Sequence, residues 1–119
     1  MKPKMYQYAK CSTCRKARAF LEAQGVDYDS VDIVTRPPPK KTLKDVLRLS
    51  GLPIKKLFNT SGQSYRDGNF GERLKSMSEA EALEALAADG KLIKRPLVIG
   101  ADFVLVGFDE QDYRRRFEA

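Results

Sequence analysis

Met5-Tyr6-Gln7-Tyr8-Ala9-Lys10-Cys11-Ser12-Thr13-Cys14-Arg15-Lys16-Ala17-Arg18-Ala19-Phe20-Leu21-Glu22-Ala23-Gln24-Gly25-Val26 carries three structural signals in succession. Met5 to Ala9 is short and aromatic-rich and reads as a strand. Ser12 or Thr13 can cap a following helix, in which Ala17, Phe20 and Leu21 recur at helical spacing. Gly25 after Gln24 is a good helix stop. Val26 to Val34, with Tyr28, Val31 and Ile33, reads as a second strand. A strand, a helix and a strand joined by so short a crossover place the two strands parallel.

Beyond this unit, Pro37-Pro38-Pro39 ends the strand and starts a stiff loop. Thr42 with Asp45 three residues on resembles a capping box, and Leu43, Val46 and Leu47 give that helix an apolar face up to Gly51. Leu52 to Phe58 reads as a short helix with Pro53 in its first turn. Asn59 to Asn69 is polar and reads as loop, and Phe70 to Ser76 as a brief helix. Ser78 caps a helix that runs to Asp89, with Leu83, Leu86 and Ala87 inward and Gly90 as the stop. Leu97 to Ile99 and Phe103 to Val106 form a hairpin around Gly100-Ala101-Asp102. Asp109 caps a last helix on which Tyr113 and Phe117 share a face. The order β-α-β, several helices, β-β, α is the thioredoxin-like plan of an α/β fold with a helical insertion after the second strand.

The 119 residues suit one domain spanning 1–119, and an apolar content of 42% suits an ordinary globule. Nothing resembles a signal peptide, and no apolar run approaches the roughly 20 residues of a membrane span, so the expected location is cytoplasmic, with no membrane partner. Net charge is +6 with no histidine. The missing histidine removes the commonest zinc ligand and excludes Ser-His and Cys-His nucleophile pairs. The basic excess suits an acidic partner, an oxyanion substrate or nucleic acid, but the charges are scattered and a solvated surface is the default. No direct DNA-binding motif is evident, and a monomer is expected.

Both cysteines lie in Cys11-Ser12-Thr13-Cys14. Three readings compete. A metal site needs about four ligands, which one pair without histidine does not supply. A buried, chemically idle pair is the second, since cysteine is often only a small hydrophobe. The third is redox work, which a C-x-x-C between a strand and a helix favours. In that reading Cys11 is the exposed nucleophile and Cys14 the resolving thiol. Free N–H groups and the dipole at the helix start favour a thiolate there. Arg15, Lys16 and Arg18 follow at once, either to lower a thiol pKa or attract an anion, or as plain solvated charge. Arg95-Pro96 directly precedes the third strand, where proline's missing donor is tolerated.

The segments Tyr8-Ala9-Lys10-Cys11-Ser12-Thr13-Cys14-Arg15-Lys16-Ala17, Leu57-Phe58-Asn59-Thr60-Ser61-Gly62, Lys94-Arg95-Pro96-Leu97 and Val106-Gly107-Phe108, in this order, resemble the ArsC/Spx family of glutaredoxin-like arsenate reductases and Spx transcription regulators. The resemblance covers nearly the whole chain. It implies a four-stranded mixed sheet and a cis Arg95-Pro96 bond facing the cysteines. The family's reductases use one nucleophilic cysteine, matched by Cys11, and three oxyanion-binding arginines. Arg95 matches one. Asn59 and Gly107 stand where the other two are expected, so arsenate binding should be weak, and arsenate turnover would require Arg15, Lys16 or Lys94 to take over the anion site. A cysteine at the position of Cys14 and the ending from Val106 to Phe117 look Spx-like, whereas Leu49-Ser50-Gly51-Leu52-Pro53-Ile54 is closer to the reductases.

Two functions follow from the resemblance. One is a thiol-disulfide oxidoreductase with Cys11, Cys14 and Arg95 as catalytic groups and Thr13, Arg15, Asn59 and Pro96 around the substrate or anion. It would bind no cofactor or metal. It would act on a small oxidised or anionic substrate or a disulfide-bearing protein, and be recycled by glutathione, another low-molecular-weight thiol, thioredoxin or glutaredoxin. The other is a redox-sensing regulator that binds the RNA polymerase α subunit.

Overall fold

Alternation along two short strands sets the layers. In the computed structural model, which describes residues 2–118, β1 (Lys4–Gln7) points Met5 and Tyr6 to opposite faces, and β3 (Leu97–Ile99) does the same with Leu97 and Val98. The two strands are antiparallel, with Met5 opposite Val98 and Tyr6 opposite Leu97. On one face, Met5 and Val98 pack with Ala17 and Leu21 of α1 (Ser12–Ala23) and Tyr113 of α6 (Glu110–Phe117). On the other, Tyr6 and Leu97 meet Leu43 and Val46 of α2 (Lys40–Ser50) and Leu83 and Leu86 of α5 (Glu79–Ala88). The sheet is therefore covered on both faces.

β2 (Asp29–Asp32) pairs parallel with β1, and β4 (Val104–Val106) pairs antiparallel with β3, giving the mixed order β2-β1-β3-β4. This is the thioredoxin-like arrangement expected from the sequence, with the helical region following β2. Gly25, at φ +70°, turns the chain out of α1. Asp109 caps α6 by accepting from the N–H groups of Gln111 and Asp112. Ser78 caps α5 in a full capping box with Glu81. Among the described residues no helix is long and apolar enough to cross a membrane.

Several local expectations are corrected. The strands are shorter: β1 stops at Gln7, β2 covers only Asp29–Asp32, and β4 begins at Val104 rather than Phe103. Asp32 itself turns the chain, its carboxylate accepting from the Val34 N–H at 2.8 Å. Thr42 caps nothing, because α2 already starts at Lys40 after an extended Pro39. Pro53 likewise precedes its helix, which is a single 3-10 turn at Ile54–Leu57. The polar 59–69 stretch contains a helix, α3 (Gln63–Asp67), anchored by one buried ring, Tyr65, against Phe58 and Phe70. One apolar residue in five gives no periodicity to read. The next helix, α4 (Phe70–Arg73), is shorter than expected. Gly90 is more than a helix stop: a Cβ there would lie 1.8 Å from the Ile33 carbonyl oxygen. Only glycine permits that approach, which fits the turn at Gly90–Leu92 against the end of the second strand.

Candidate active site

The end of β1 and the start of α1 set the site. The Cys11 N–H donates to the Tyr8 carbonyl at 3.1 Å, which turns the chain after the strand. Cys11, not Ser12 or Thr13, is the N-cap of α1: its backbone is extended and its Sγ accepts from the Cys14 N–H at 3.2 Å. The nucleophile candidate thus sits on the helix terminus itself, where a thiolate is a better cap than a thiol. Cys11 is half-buried, Cys14 is fully buried one turn on, and both are free thiols.

The two thiols are driven apart in acidity. Burial pushes Cys11 up, but the Cys14 thiol and amide N–H, then the hydrogen-bonding capacity and charge of Arg95, outweigh it, and Cys11 titrates below the ordinary 9.0. Burial pushes Cys14 up to about 12, reinforced by its hydrogen bond to Cys11 and by the Cys11 charge, and opposed by a backbone hydrogen bond from Tyr8 and by Arg95. The cation facing the pair is therefore Arg95. Arg95 is among the catalytic groups expected from the sequence, where Arg15, Lys16 and Arg18 are the other cations considered. Arg15 and Lys16 are exposed, and Arg18 is tied to the Gln7 side chain.

Arg95 is held over the Tyr8 ring, 5.2 Å from its centroid. Its Nη1 is buried and has no hydrogen-bond partner. A buried donor left unpaired is costly, so it is a ready contact for an incoming anion. The Arg95-Pro96 bond is cis, as the resemblance implied. The buried Pro96 leads into β3, and its carbonyl accepts from the Gly107 N–H at 2.8 Å.

Cys11 opens into a cavity of about 780 Å³. Thr13, Asn59 and Arg95 line it with Cys11, so four of the seven residues expected at the site converge there. Cys14 lies beneath the surface, while Arg15 and Pro96 are not part of the lining. Lys56, Ser61, Lys94, Asp109 and Asp112 also line it. Of these, only Lys94 is read from the sequence as a candidate for the anion site; Ser61 appears there within a quoted segment and Asp109 as a helix cap. The others come from separate segments, and only Lys94's neighbour Arg95 marked the place. Among the described residues no group of three or more cysteine, aspartate and glutamate side chains is placed to hold a metal ion. The arrangement provides an accessible sulfur nucleophile, a second sulfur within one turn and a cation over both.

The comparisons with known proteins agree with this geometry. Residues 6–116 match the ArsC family. The chain is 48% identical over 112 residues to the uncharacterized protein YusI of Bacillus subtilis, covering 94% of this chain and 95% of that one. It is similar to the crystal structure of a possible arsenate reductase from Streptococcus mutans, with 43% identity, a TM-score of 0.85 and coverage of 93% and 96% of the two chains. It also resembles the global transcriptional regulator Spx 2 of Bacillus anthracis, at 26% identity over 93% of this chain and 83% of the regulator.

Proposed function

The chain belongs to the ArsC family, and from that premise we propose that it is a thiol-disulfide oxidoreductase. The observation that carries this reading is the Cys11 thiol, capping α1 and lining the cavity, with Cys14 behind it and Arg95 facing it. The Cys11 thiolate attacks one sulfur of a disulfide R–S–S–R′. A Cys11–S–S–R bond forms, the R–S–S–R′ bond breaks, and R′S⁻ leaves and takes a proton from water. Cys14 then loses its proton and attacks Cys11 Sγ, RS⁻ leaves, and a Cys11–Cys14 disulfide remains. Two thiols, supplied by glutathione, another low-molecular-weight thiol, thioredoxin or glutaredoxin, reduce it.

The order of attack follows from the acidities. At neutral pH the Cys11 thiolate is the more populated nucleophile. Once Cys11 is in a mixed disulfide its charge is gone, and with it one of the influences raising Cys14. Burial remains, so Cys14 is still the less acidic thiol, and its attack draws on being intramolecular. Arsenate is a poor substrate in this reading: each missing arginine removes about 1.5–3 kcal/mol of charged hydrogen bonding, and Asn59 and Gly107 stand at the two positions. The regulator reading has less support, since the Spx relative is 26% identical against 43% for the possible arsenate reductase.

Turnover of a small disulfide, coupled to glutathione or to thioredoxin, tests the proposal. Wild-type protein should turn over with at least one reductant and Cys11→Ser with neither. The Cys14→Ser variant should accumulate a mixed disulfide on Cys11. A wild-type protein inert with both reductants overturns the reading.

A further inference from the structure

Two cations in the cavity have no part in the exchange just described. Lys56 lies in the 3-10 turn Ile54–Leu57, and Lys94 follows Ile93. Their segments are stitched together by an antiparallel bridge between Phe58 and Ile93. The Asn59 N–H donates to Leu92 O and the Lys94 N–H to Leu57 O, both at 2.7 Å. The Lys94 side chain then runs across Gly107, where a Cβ would lie 3.0 Å from Lys94 Cε and 3.8 Å from Nζ. Gly107 is fixed from behind, since its carbonyl accepts from the buried Tyr113 hydroxyl at 3.1 Å. A bare α-carbon is thus the surface on which the lysine rests.

Neither lysine has an ion-pair partner among the described residues. The two carboxylates lining the cavity are occupied: Asp109 caps α6, and Asp112 pairs with Arg115 at 2.8 Å. The same two lysines border a second recess of about 260 Å³, whose other lining residues are Lys55, Phe58 and Thr60, with no acidic residue. The wall running from Arg95 through Lys94 to Lys56 therefore carries three cations, against two carboxylates engaged at α6, and it starts beside the sulfur nucleophile. A clustered charge of one sign over a cleft raises the local concentration of oppositely charged ligands. Lysine ammoniums on flexible stems follow a flexible ligand rather than clamping one rigid ion.

We propose that Lys56 and Lys94 are specificity-determining residues that select small disulfides bearing carboxylates, the carboxylate-bearing half lying across the two lysines while its sulfur meets Cys11. This rests on the thiol-disulfide reading and adds the substrate class. The bond changes are those of the first exchange step: Cys11–S–S–R forms, R–S–S–R breaks, and RS⁻ leaves.

The test uses full-length Cys14→Ser protein, in which the mixed disulfide on Cys11 is retained and counted by mass spectrometry. Three probes are compared: oxidised glutathione, neutral bis(2-hydroxyethyl) disulfide and cationic cystamine. Each rate is divided by that of N-acetylcysteinamide with the same probe, which removes the probe's intrinsic reactivity. The expected normalised preference for oxidised glutathione over cystamine is about tenfold or more at low ionic strength, shrinking as salt is added. Adding Lys56→Ala and Lys94→Ala together should bring the preference toward one, and Lys94→Glu should favour cystamine. Lys75→Ala, outside both cavities, should leave it unchanged. Equal normalised rates for all probes, with Cys11 reactive, overturn the role of the lysines alone. A Cys11 unreactive toward every probe overturns the disulfide reading and this inference with it.

Discussion

Gly107→Ala is expected to lower stability by about 1 kcal/mol and to disturb the site more than the fold. Gly107 sits at φ +74°. An L-residue in the left-handed region costs roughly 1–2 kcal/mol, while the smaller freedom of alanine in the unfolded chain returns about 0.4–1 kcal/mol. Gly25, at φ +70° with nothing within 4 Å of its would-be Cβ, supplies the same backbone terms without a neighbour. At Gly107 the nearest atom is Lys94 Cε at 3.0 Å, the far end of a flexible side chain, which yields. The two alanine variants should therefore lose similar stability, within about 0.5 kcal/mol of each other. For a domain of this size a urea slope of about 2 kcal/mol/M makes the midpoint shift about 0.5 M in each. Urea denaturation of reduced protein, followed by far-ultraviolet circular dichroism, reads this directly. The exchange rate with oxidised glutathione should then separate them, falling in Gly107→Ala because Lys94 is displaced and holding in Gly25→Ala. A loss at Gly107 exceeding that at Gly25 by 2 kcal/mol or more, or an unchanged exchange rate, would refute the placement of Lys94.

Mild oxidation with diamide should give an intramolecular Cys11–Cys14 disulfide, seen by mass spectrometry as a loss of two hydrogens within one peptide. So small a loop restricts the unfolded chain little, so the melting temperature should change only slightly. Alkaline stability carries the mark of Cys14. The thiol is held neutral to about 12 in the folded chain against 9.0 when unfolded. Its contribution is intact below pH 9 and is lost as pH rises from there toward 12, because the unfolded chain then binds fewer protons. Burial raises Tyr113 in the same direction, so Cys14→Ala should flatten part of the decline in a denaturation series at rising pH. Arsenate turnover should stay well below about 1 per second, and a rate at or above that with glutathione or thioredoxin would mean that the lysines replace the missing arginines.

The parts of the structure that were legible in the sequence are those set by short-range signals. The β-α-β opening follows from the spacing of Ala17 and Leu21 and the glycine stop at Gly25, and Asp109 announces α6 by its own side chain. Local signals also misled. Ser12 and Thr13 are the better capping residues in general, yet Cys11 takes the cap, because the turn after β1 leaves its sulfur over the Cys14 N–H. Helix α3 was hidden, since one buried tyrosine anchors it to rings distant in sequence. At the site, Cys11, Thr13, Asn59 and Arg95 were identified beforehand through their motifs. The Lys56–Lys94 pair was not. It exists only once residues 57–59 pair with 92–94 and Gly107 offers a bare surface, and no spacing within one segment encodes that.

The claim on which the rest depends is that Cys11 is an activated thiol and that Arg95 helps to activate it. Thiolate absorbance at 240 nm, titrated on the Cys14→Ser variant and again with Arg95→Met added, measures both. The account predicts a Cys11 midpoint below the ordinary 9.0 with Arg95 present, and a higher midpoint once the guanidinium is gone. A midpoint at or above 9.0 with Arg95 in place, or one that does not move when Arg95 is removed, would contradict it.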